Sequence, residues 1–225
     1  MKTLNFTLIF ILIVPIGTLT HELGHLAAAR YFGNSTQLHY ASVTSNSATQ
    51  DTFIKVMNAY SIDGDTWNRS QKEAYKLAVK NYILEKRAII LSGPLQTLLT
   101  GIIGFSILVF RRKFHLNGIF KVVDWIAVFL ALFVSRFVFN SLHFFASGIL
   151  GLSSKGDEDK LAALYQLNPL YIYATLFIVS SIIIAFVVFK VIPKDNLKPF
   201  LLGGSLGCSA GWILWMHLIG PVILP

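Results

Sequence analysis

Two histidines and a glutamate lie close together in the otherwise apolar stretch GTLTHELGHLAAARYFG, near the start of the chain. His21 and His25 are four residues apart, so on a helix their imidazoles stand one turn apart on the same face. Two imidazoles in this arrangement can bind one Zn²⁺, and Glu22 can then act as general base toward a zinc-activated water. The His-Glu-x-x-His spacing therefore predicts half of a zinc site.

The apolar surroundings of these three residues weigh against a purely structural role. Ionisable side chains are expensive inside a bilayer, and those that occur there usually mark a functional site. A single intramembrane histidine would more simply be a hydrogen-bonded core residue. Three ionisable groups in this spacing favour metal binding, because a metal ion offsets the cost of burying the Glu22 carboxylate as an anion.

The composition is that of an integral membrane protein. The 225 residues are 54% hydrophobic and only 13% charged, and the mean hydropathy is +0.62. The formal net charge of +8 comes without a basic domain, so basic residues at helix ends explain it better than a nucleic-acid partner. Cys208 is the only cysteine, which excludes an intrachain disulfide and a thiolate metal cluster.

Five apolar segments are long enough to cross a bilayer, which takes about 20 residues per helix. We predict an all-α, multi-pass protein with a single membrane domain over residues 1–225. The N-terminal run resembles a signal peptide, but it continues through the histidines, so we expect a retained first span. The predicted spans are residues 4–33, 88–110, 120–145, 169–192 and 200–224.

A polar segment, residues 34–87, separates the first two spans. Within it LHYASV and TFIKVM flank the polar run TSNSATQD, which predicts a short β-hairpin over residues 38–56. Ser70 and Glu73 have the spacing of a capping box and predict the start of an amphipathic helix that leads to the second span.

A catalytic zinc site needs a third protein ligand and one open position. The segment KGDEDK after the third span offers Asp157, Glu158 and Asp159, and His143 near the end of that span is a fourth candidate. His21 lies roughly 25 Å along the first helix, near its far end, and three spans bring KGDEDK to that same face of the membrane. The residues alone leave the choice open, and a merely solvated charged loop remains a further reading.

Three segments of the chain resemble the site-2 protease family of intramembrane zinc metalloproteases. They are THELGHLAAARYFG, RAIILSGPLQTLL with its Gly93-Pro94 pair, and RFVFNSLHFF followed by KGDEDKL. The resemblance covers Leu4 to about Leu167 and implies a catalytic core formed by the first three spans. The last two spans lie outside it.

The resemblance also implies roles for particular residues. Asp157 matches the third zinc ligand of the family, with Leu161 four residues later, and Asn140 matches a substrate-binding asparagine. Thr97 stands where the family usually carries asparagine. On the same face of the third span as Asn140 lie Arg136 and His143, at i, i+4, i+7 spacing, which is typical of one wall of a site.

The function implied is hydrolysis of peptide bonds in or near transmembrane segments of membrane proteins, with Zn²⁺ as cofactor and Glu22 as general base. The partners would be a membrane-protein substrate and the lipid bilayer; the oligomeric state stays open. One alternative is an inactive family member that acts as a membrane binding or assembly factor, although the intact Glu22 disfavours it. Another alternative is a metal transporter. A transporter should carry further His/Asp pairs along its other helices, and the sequence offers only an isolated His217 there.

The orientation in the membrane depends on the basic residues. The face that would carry the site has ten lysines and arginines, and the opposite face has eight in shorter segments. The larger number of basic residues favours a cytoplasmic active-site face. The higher density of basic residues in the shorter segments favours the opposite orientation. The family resemblance implies a cytoplasmic site.

Overall fold

The computed structural model of the chain describes residues 2–112, 120–151 and 156–225. Within these ranges the fold is all-α apart from one short β-hairpin, as the sequence predicted. The strands are β1 (Ser35–Leu38) and β2 (Val43–Asn46). The seven helices in the described ranges are α1 Lys2–Tyr31, α2 Ala48–Asp63, α3 Arg69–Phe110, α4 Val122–Ile149, α5 Asp157–Tyr165, α6 Pro169–Val191 and α7 Lys194–Ile223.

Five of these helices, α1, α3, α4, α6 and α7, are long and apolar enough to cross a membrane. They correspond to the five predicted spans, although most of their ends differ by a few residues and α3 and α7 begin earlier because the polar residues before each span are also helical. Leu12, Phe139 and Ile182 on these helices are each more than half exposed. Lipid tails cover such surfaces, which a soluble protein would bury. The chain is a multi-pass membrane protein.

The helix with the histidine pair, α1, lies between α7 and α3. On the α7 side, Gly203, Gly207 and Gly211 recur every four residues and face α1. A Cβ atom on Gly207 would lie 2.5 Å from the carbonyl oxygen of Thr7. Small residues at this spacing let the backbones of two membrane helices come into contact. Close packing of this kind stabilises helix pairs in lipid, where the hydrophobic effect does not drive helices together.

The other neighbour of α1 is α3, and glycines again mark the contact. A Cβ atom on Gly24 would lie 2.6 Å from the carbonyl oxygen of Ser92, so the two helices touch at this level. Farther along, α3 meets α4 through Gly101 and Gly104, where a Cβ on Gly104 would lie 2.3 Å from the backbone nitrogen of Ala131. These contacts set α1, α3 and α4 at close, fixed distances.

The hydrophobic core lies toward the membrane face opposite the histidine pair. Phe200 of α7 packs edge-on against Phe6 and Phe10 of α1, with ring centroids 5.3 Å apart in both pairs. Leu108 of α3 and Val128 of α4 are fully buried in the same cluster. The half of the bundle that contains the histidines lies outside this packed cluster and has room for a cavity.

The hairpin follows α1 but lies earlier in the chain than predicted. β1 and β2 pair antiparallel with Ser35 opposite Asn46, and the expected second strand, residues 52–57, belongs to α2. Ser47 caps α2, because its side chain accepts a hydrogen bond from the Gln50 backbone N–H at 3.1 Å. The β-branched residues of TFIKVM favoured a strand, but a capped helix start outweighs this weak preference.

The amphipathic helix and the second span are a single helix of 42 residues, α3, and not two elements as predicted. Its capping box is formed by Asn68 and Gln71 and not by Ser70 and Glu73. A helix of this length is about 63 Å long, twice the hydrocarbon thickness of about 30 Å. Residues 69–87 therefore extend from the membrane and, together with α2, form what we call the α2–α3 arm.

Candidate metal centre

The histidine pair lies on the face of α1 that packs against α3. His21 and His25 are 1% and 8% exposed. Their rings stand edge to face with centroids 4.9 Å apart, and their Nε2 atoms are 3.2 Å apart. Residues four apart share a helix face, so the sequence spacing is enough to produce this pair once α1 is helical.

A carboxylate from a distant part of the chain joins the pair. The Oδ2 atom of Asp157 lies 3.1 Å from the Nε2 atoms of both His21 and His25. Tetrahedral Zn²⁺, with bonds of about 2.0–2.2 Å to nitrogen and oxygen, separates its ligand atoms by about 3.3 Å. The donor atoms and their spacing fit Zn²⁺ closely. In the described part of the chain, no other group of three or more His, Cys, Asp or Glu side chains is so placed.

The outer nitrogens of both rings are held by α3. The Nδ1 atom of His25 donates a hydrogen bond to the Ile89 carbonyl oxygen at 2.6 Å, and that of His21 lies 2.9 Å from the Thr97 hydroxyl. A carbonyl can only accept, so Nδ1 of His25 carries a proton and the neutral ring presents a lone pair at Nε2. Lone pairs that converge in this way need a metal cation, or a shared proton, between them.

Asp157 is the first residue of α5, where the sequence predicted a polar loop. The helix starts here because the Asp159 carboxylate accepts a hydrogen bond from the Gly156 backbone N–H at 2.9 Å. Tyr173 of α6 donates its hydroxyl to the same Asp159 oxygen at 2.8 Å. Lys160 donates to the other oxygen of Asp157, Oδ1, at 2.9 Å. α5 thus fixes the direction in which Asp157 points.

The Asp157 carboxylate is held in its ionised form. Burial by itself raises the pKa of Asp157, but hydrogen bonds with His21 and His25 and the ammonium of Lys160 outweigh burial and hold the pKa well below its usual range. Metal binding requires the ionised form of a carboxylate, so Asp157 is ready to act as a ligand at neutral pH.

The other candidates for the third ligand have different surroundings. Glu158 is 2% exposed and accepts a hydrogen bond from the Asn140 side chain at 3.0 Å. Asp159 caps α5, and His143 lies in the wall of the neighbouring cavity. None of the three belongs to the converging group of ligand atoms. The geometry brings Asp157, and not its neighbours, to the histidine pair.

A cavity of about 510 Å³ opens beside these ligand atoms. Glu22 lines it, and no group in the described part of the chain donates a hydrogen bond to the Glu22 carboxylate. The predicted face of α4 forms one wall through Arg136, Asn140 and His143. The hairpin forms another wall through Ala41, Ser42, Val43 and Ser45. The cavity therefore joins a free carboxylate, the three ligand atoms and a short β-sheet.

Known proteins offer no direct guide to this site. No protein-family model, no curated protein sequence and no solved structure matches the chain.

Gly93 is required by the histidine pair, a role that the sequence did not show. A Cβ atom at this position would lie 2.3 Å from Nε2 of His25 and 2.7 Å from Nε2 of His21. Real Cβ atoms do not approach so closely, so any side chain here would push both rings away from Asp157. Only a glycine lets α3 pass directly behind the ligand atoms.

Gly93→Ala is expected to lower the zinc affinity of the protein by about 10–100-fold, as other changes behind metal ligands do. The affinity can be measured by competition with a chromogenic chelator. Gly17→Ala is the matched control, because a Cβ atom at that α1 position would have nothing within 4 Å. An unchanged affinity in Gly93→Ala would show that the two rings are not held against α3.

Proposed function

We propose that this protein is an intramembrane zinc metalloprotease that hydrolyses peptide bonds in or near transmembrane segments of membrane proteins. The observation that carries the proposal is the convergence of His21, His25 and Asp157 at one edge of a cavity that Glu22 also lines. Two histidines and one carboxylate, with a fourth position open, form a typical ligand set of zinc peptidases, whereas structural zinc sites use four protein ligands.

The site would lie within the bilayer. His21 is about 15 Å from the end of α1 along the helix axis, which supports a position of the ligand atoms below the membrane surface. The chemistry that Zn²⁺ supplies when bound is polarisation of the substrate carbonyl and a lowered pKa for the attacking water, about 7. His21, His25 and Asp157 would hold the ion, and α3 and α5 hold these three side chains in place.

Glu22 is the proton carrier of the proposed reaction. It accepts a proton from the attacking water and later delivers it to the leaving amine. The proposal is supported by its position in the cavity wall beside His25, and by the lack of any donor to its carboxylate among the described residues. A carboxylate that is already satisfied by hydrogen bonds would be a weaker base.

The substrate segment is proposed to lie along the hairpin. A helical peptide bond is shielded by its own hydrogen bonds, so the segment must unwind before attack. Val43 and Ser45 of β2 line the cavity, and the sheet of the described residues has only two strands, so each strand has a free edge. An extended segment can add to such an edge through backbone hydrogen bonds. Asn140 lies in the α4 wall and would contact the same segment.

We place the active-site face in the cytoplasm. The support is the number of basic residues on this face, since cytoplasmic loops carry an excess of lysine and arginine. The ten are Arg30, Lys55, Arg69, Lys72, Lys76, Lys80, Lys86, Arg87, Lys155 and Lys160, of which Lys155 lies outside the described residues and is assigned from the sequence alone. Single cysteines introduced in the α2–α3 arm test this placement. In intact cells, a thiol reagent that does not cross the membrane should leave them unlabelled.

The acidic ligand gives the sharpest test of the proposal. Asp157→Asn is expected to lose both zinc and cleavage, because an amide replaces the anionic ligand and two histidines cannot hold a catalytic ion. Metal analysis of the purified protein and cleavage of quenched fluorogenic transmembrane peptides in detergent measure the two effects. Asp195→Asn, at an exposed position near the start of α7, is the matched control.

The outcomes separate the proposal from its alternative. Zinc and cleavage that both survive Asp157→Asn would remove this residue from the ligand set. Zinc in the unaltered protein, with no cleavage of any membrane-protein fragment, would favour a binding or assembly factor. Cleavage that disappears with zinc in Asp157→Asn and persists in Asp195→Asn is the expected result.

A further inference from the structure

Arg136 is a half-buried cation that the proposed reaction does not use. It lies near the middle of α4, one of the five helices long and apolar enough to cross the membrane. Its Nε atom is buried and has no hydrogen-bond partner among the described residues. A charged side chain at this depth is costly unless an anion or another acceptor meets it.

The position of Arg136 relates it to the candidate metal centre. It lines the same cavity as Glu22 and Asp157, and its charge acts on both His21 and Glu22. The carboxylates do not neutralise it, since no ion pair joins Arg136 to any of the described residues within 4.0 Å. Arg136 therefore lies close to the groups of the proposed reaction and forms no direct ion pair with the described residues.

The charges around the cavity favour an anionic guest. Lys160, a second cation in the wall, already pairs with Asp157 at 2.9 Å. Glu22 and Asp157 carry two negative charges and Arg136 and Lys160 two positive ones, so a bound divalent cation would leave the cavity positive. A cavity of this sign raises the local concentration of anionic groups.

We propose that Arg136 forms an anion subsite in the cavity and selects substrate peptides that carry a carboxylate near the scissile bond. The inference rests on the proposed function, because it names the substrate class of that same site. The planar guanidinium binds carboxylates through two parallel hydrogen bonds, and these charge-assisted bonds are strong where water is scarce. The carboxylate can come from an acidic side chain or from a free C-terminal chain end.

The experiment compares three fluorescein-labelled leucine-alanine peptides that differ at two points. The first has a central glutamate and an amidated end, the second a central glutamine and a free carboxylate end, and the third a central glutamine and an amidated end. Their affinities for the purified protein are measured by fluorescence anisotropy, with zinc and without it, and mass spectrometry shows that each peptide stays intact.

The unaltered protein is expected to bind the first or the second peptide at least about tenfold more tightly than the third. A preference for the first identifies an acidic side chain as the source, and a preference for the second identifies the chain end. Arg136→Gln is expected to reduce the preference to less than about threefold, with the affinity for the third peptide unchanged, whereas Arg136→Lys keeps part of it. Arg69→Gln, at an exposed position in the α2–α3 arm, is expected to keep the full preference.

The proposal is overturned if the unaltered protein binds all three peptides equally, however weakly, or if the preference survives Arg136→Gln. The first of these outcomes is decisive even if no Arg136 variant folds. Binding is measured without turnover, so the two proposals fail separately. A preference in a protein that does not cleave contradicts the protease alone, and cleavage without a preference contradicts the anion subsite alone.

Discussion

The Glu22→Gln protein is expected to bind about one zinc per chain and to cleave membrane peptides at least about 100-fold more slowly than the unaltered protein, since general acid–base groups contribute about 10²–10⁴ in rate. The amide has the size of the carboxylate but cannot accept the proton of the attacking water. Glu22 also makes no hydrogen bond with the described residues, so its replacement should leave the fold intact. Zinc content and kcat for a fluorogenic transmembrane peptide are the measurements.

Glu73→Gln provides the matched control for this variant. Glu73 is exposed on the α2–α3 arm, where Lys76, three residues away, is its one ion-pair partner among the described residues. The same change of carboxylate to amide at this position should leave both zinc and kcat unaltered. If Glu22→Gln cleaves at the rate of the control, Glu22 has no part in the reaction, although the zinc site could still stand.

Removal of either histidine is expected to abolish zinc binding. His21→Ala and His25→Ala each leave two ligands, which cannot hold a catalytic zinc ion. Metal analysis after dialysis against a weak chelator measures the loss. His217→Ala is the control, because His217 is exposed on α7, where it meets the Trp212 ring edge-on, and does not belong to the converging group of ligand atoms.

The histidine variants also separate a metal site from a hydrogen-bonded core. If His21 and His25 only stabilise the bundle, the unaltered protein will contain no zinc, and the variants will lower Tm without any change in metal. Stoichiometric zinc in the variant that lacks both histidines would contradict the assignment most directly. The expected result is stoichiometric zinc in the unaltered protein and almost none in either single variant.

The sequence predicted the candidate site residues better than the groups that hold them in position. His21, Glu22 and His25 are neighbours on one helix, so local spacing alone determines their arrangement. Asp157 is distant in sequence: the residues alone put it on the same membrane face as the histidines, among several acidic candidates, and only the family resemblance singled it out. Its selection over Glu158 and Asp159 depends on how α5 begins, which is a matter of tertiary contacts.

The groups that hold the two histidines in position could not be predicted from the sequence. Thr97 is 3% exposed and faces His21, and the Ile89 carbonyl holds His25, but a threonine or a backbone oxygen in an apolar run gives no signal of such a role. Thr97 and Gly93 were noted only as parts of a resemblance. The steric reason for Gly93 depends on the distance between α1 and α3, which no property of either helix alone determines.

The errors in the fold have a common physical cause. The strand predicted at residues 52–57 and the separate helix predicted before Ala88 were both inferred from short windows of sequence. In each case a helix that had already been started by a cap, at Ser47 or at Asn68, continued through residues that no glycine or proline interrupts. The cooperativity of helix formation outweighed the local preference.

The unbroken length of α3 has a mechanical consequence. One end of this rod stands in water with α2, and its midpoint passes behind the two imidazoles at Gly93, where α1 bears directly on it at Gly24. α3 also carries an interior proline, Pro94, beside this contact. Helices bend most readily at proline, so the aqueous arm can tilt about this point. A tilt of a few degrees would move the aqueous end by several ångströms while it displaced Gly93 very little. Forces on the arm would therefore move the proposed metal ligands little. The hairpin would move with the arm, because Asn34 before it and Ser47 after it both donate hydrogen bonds to the Glu85 carboxylate of α3.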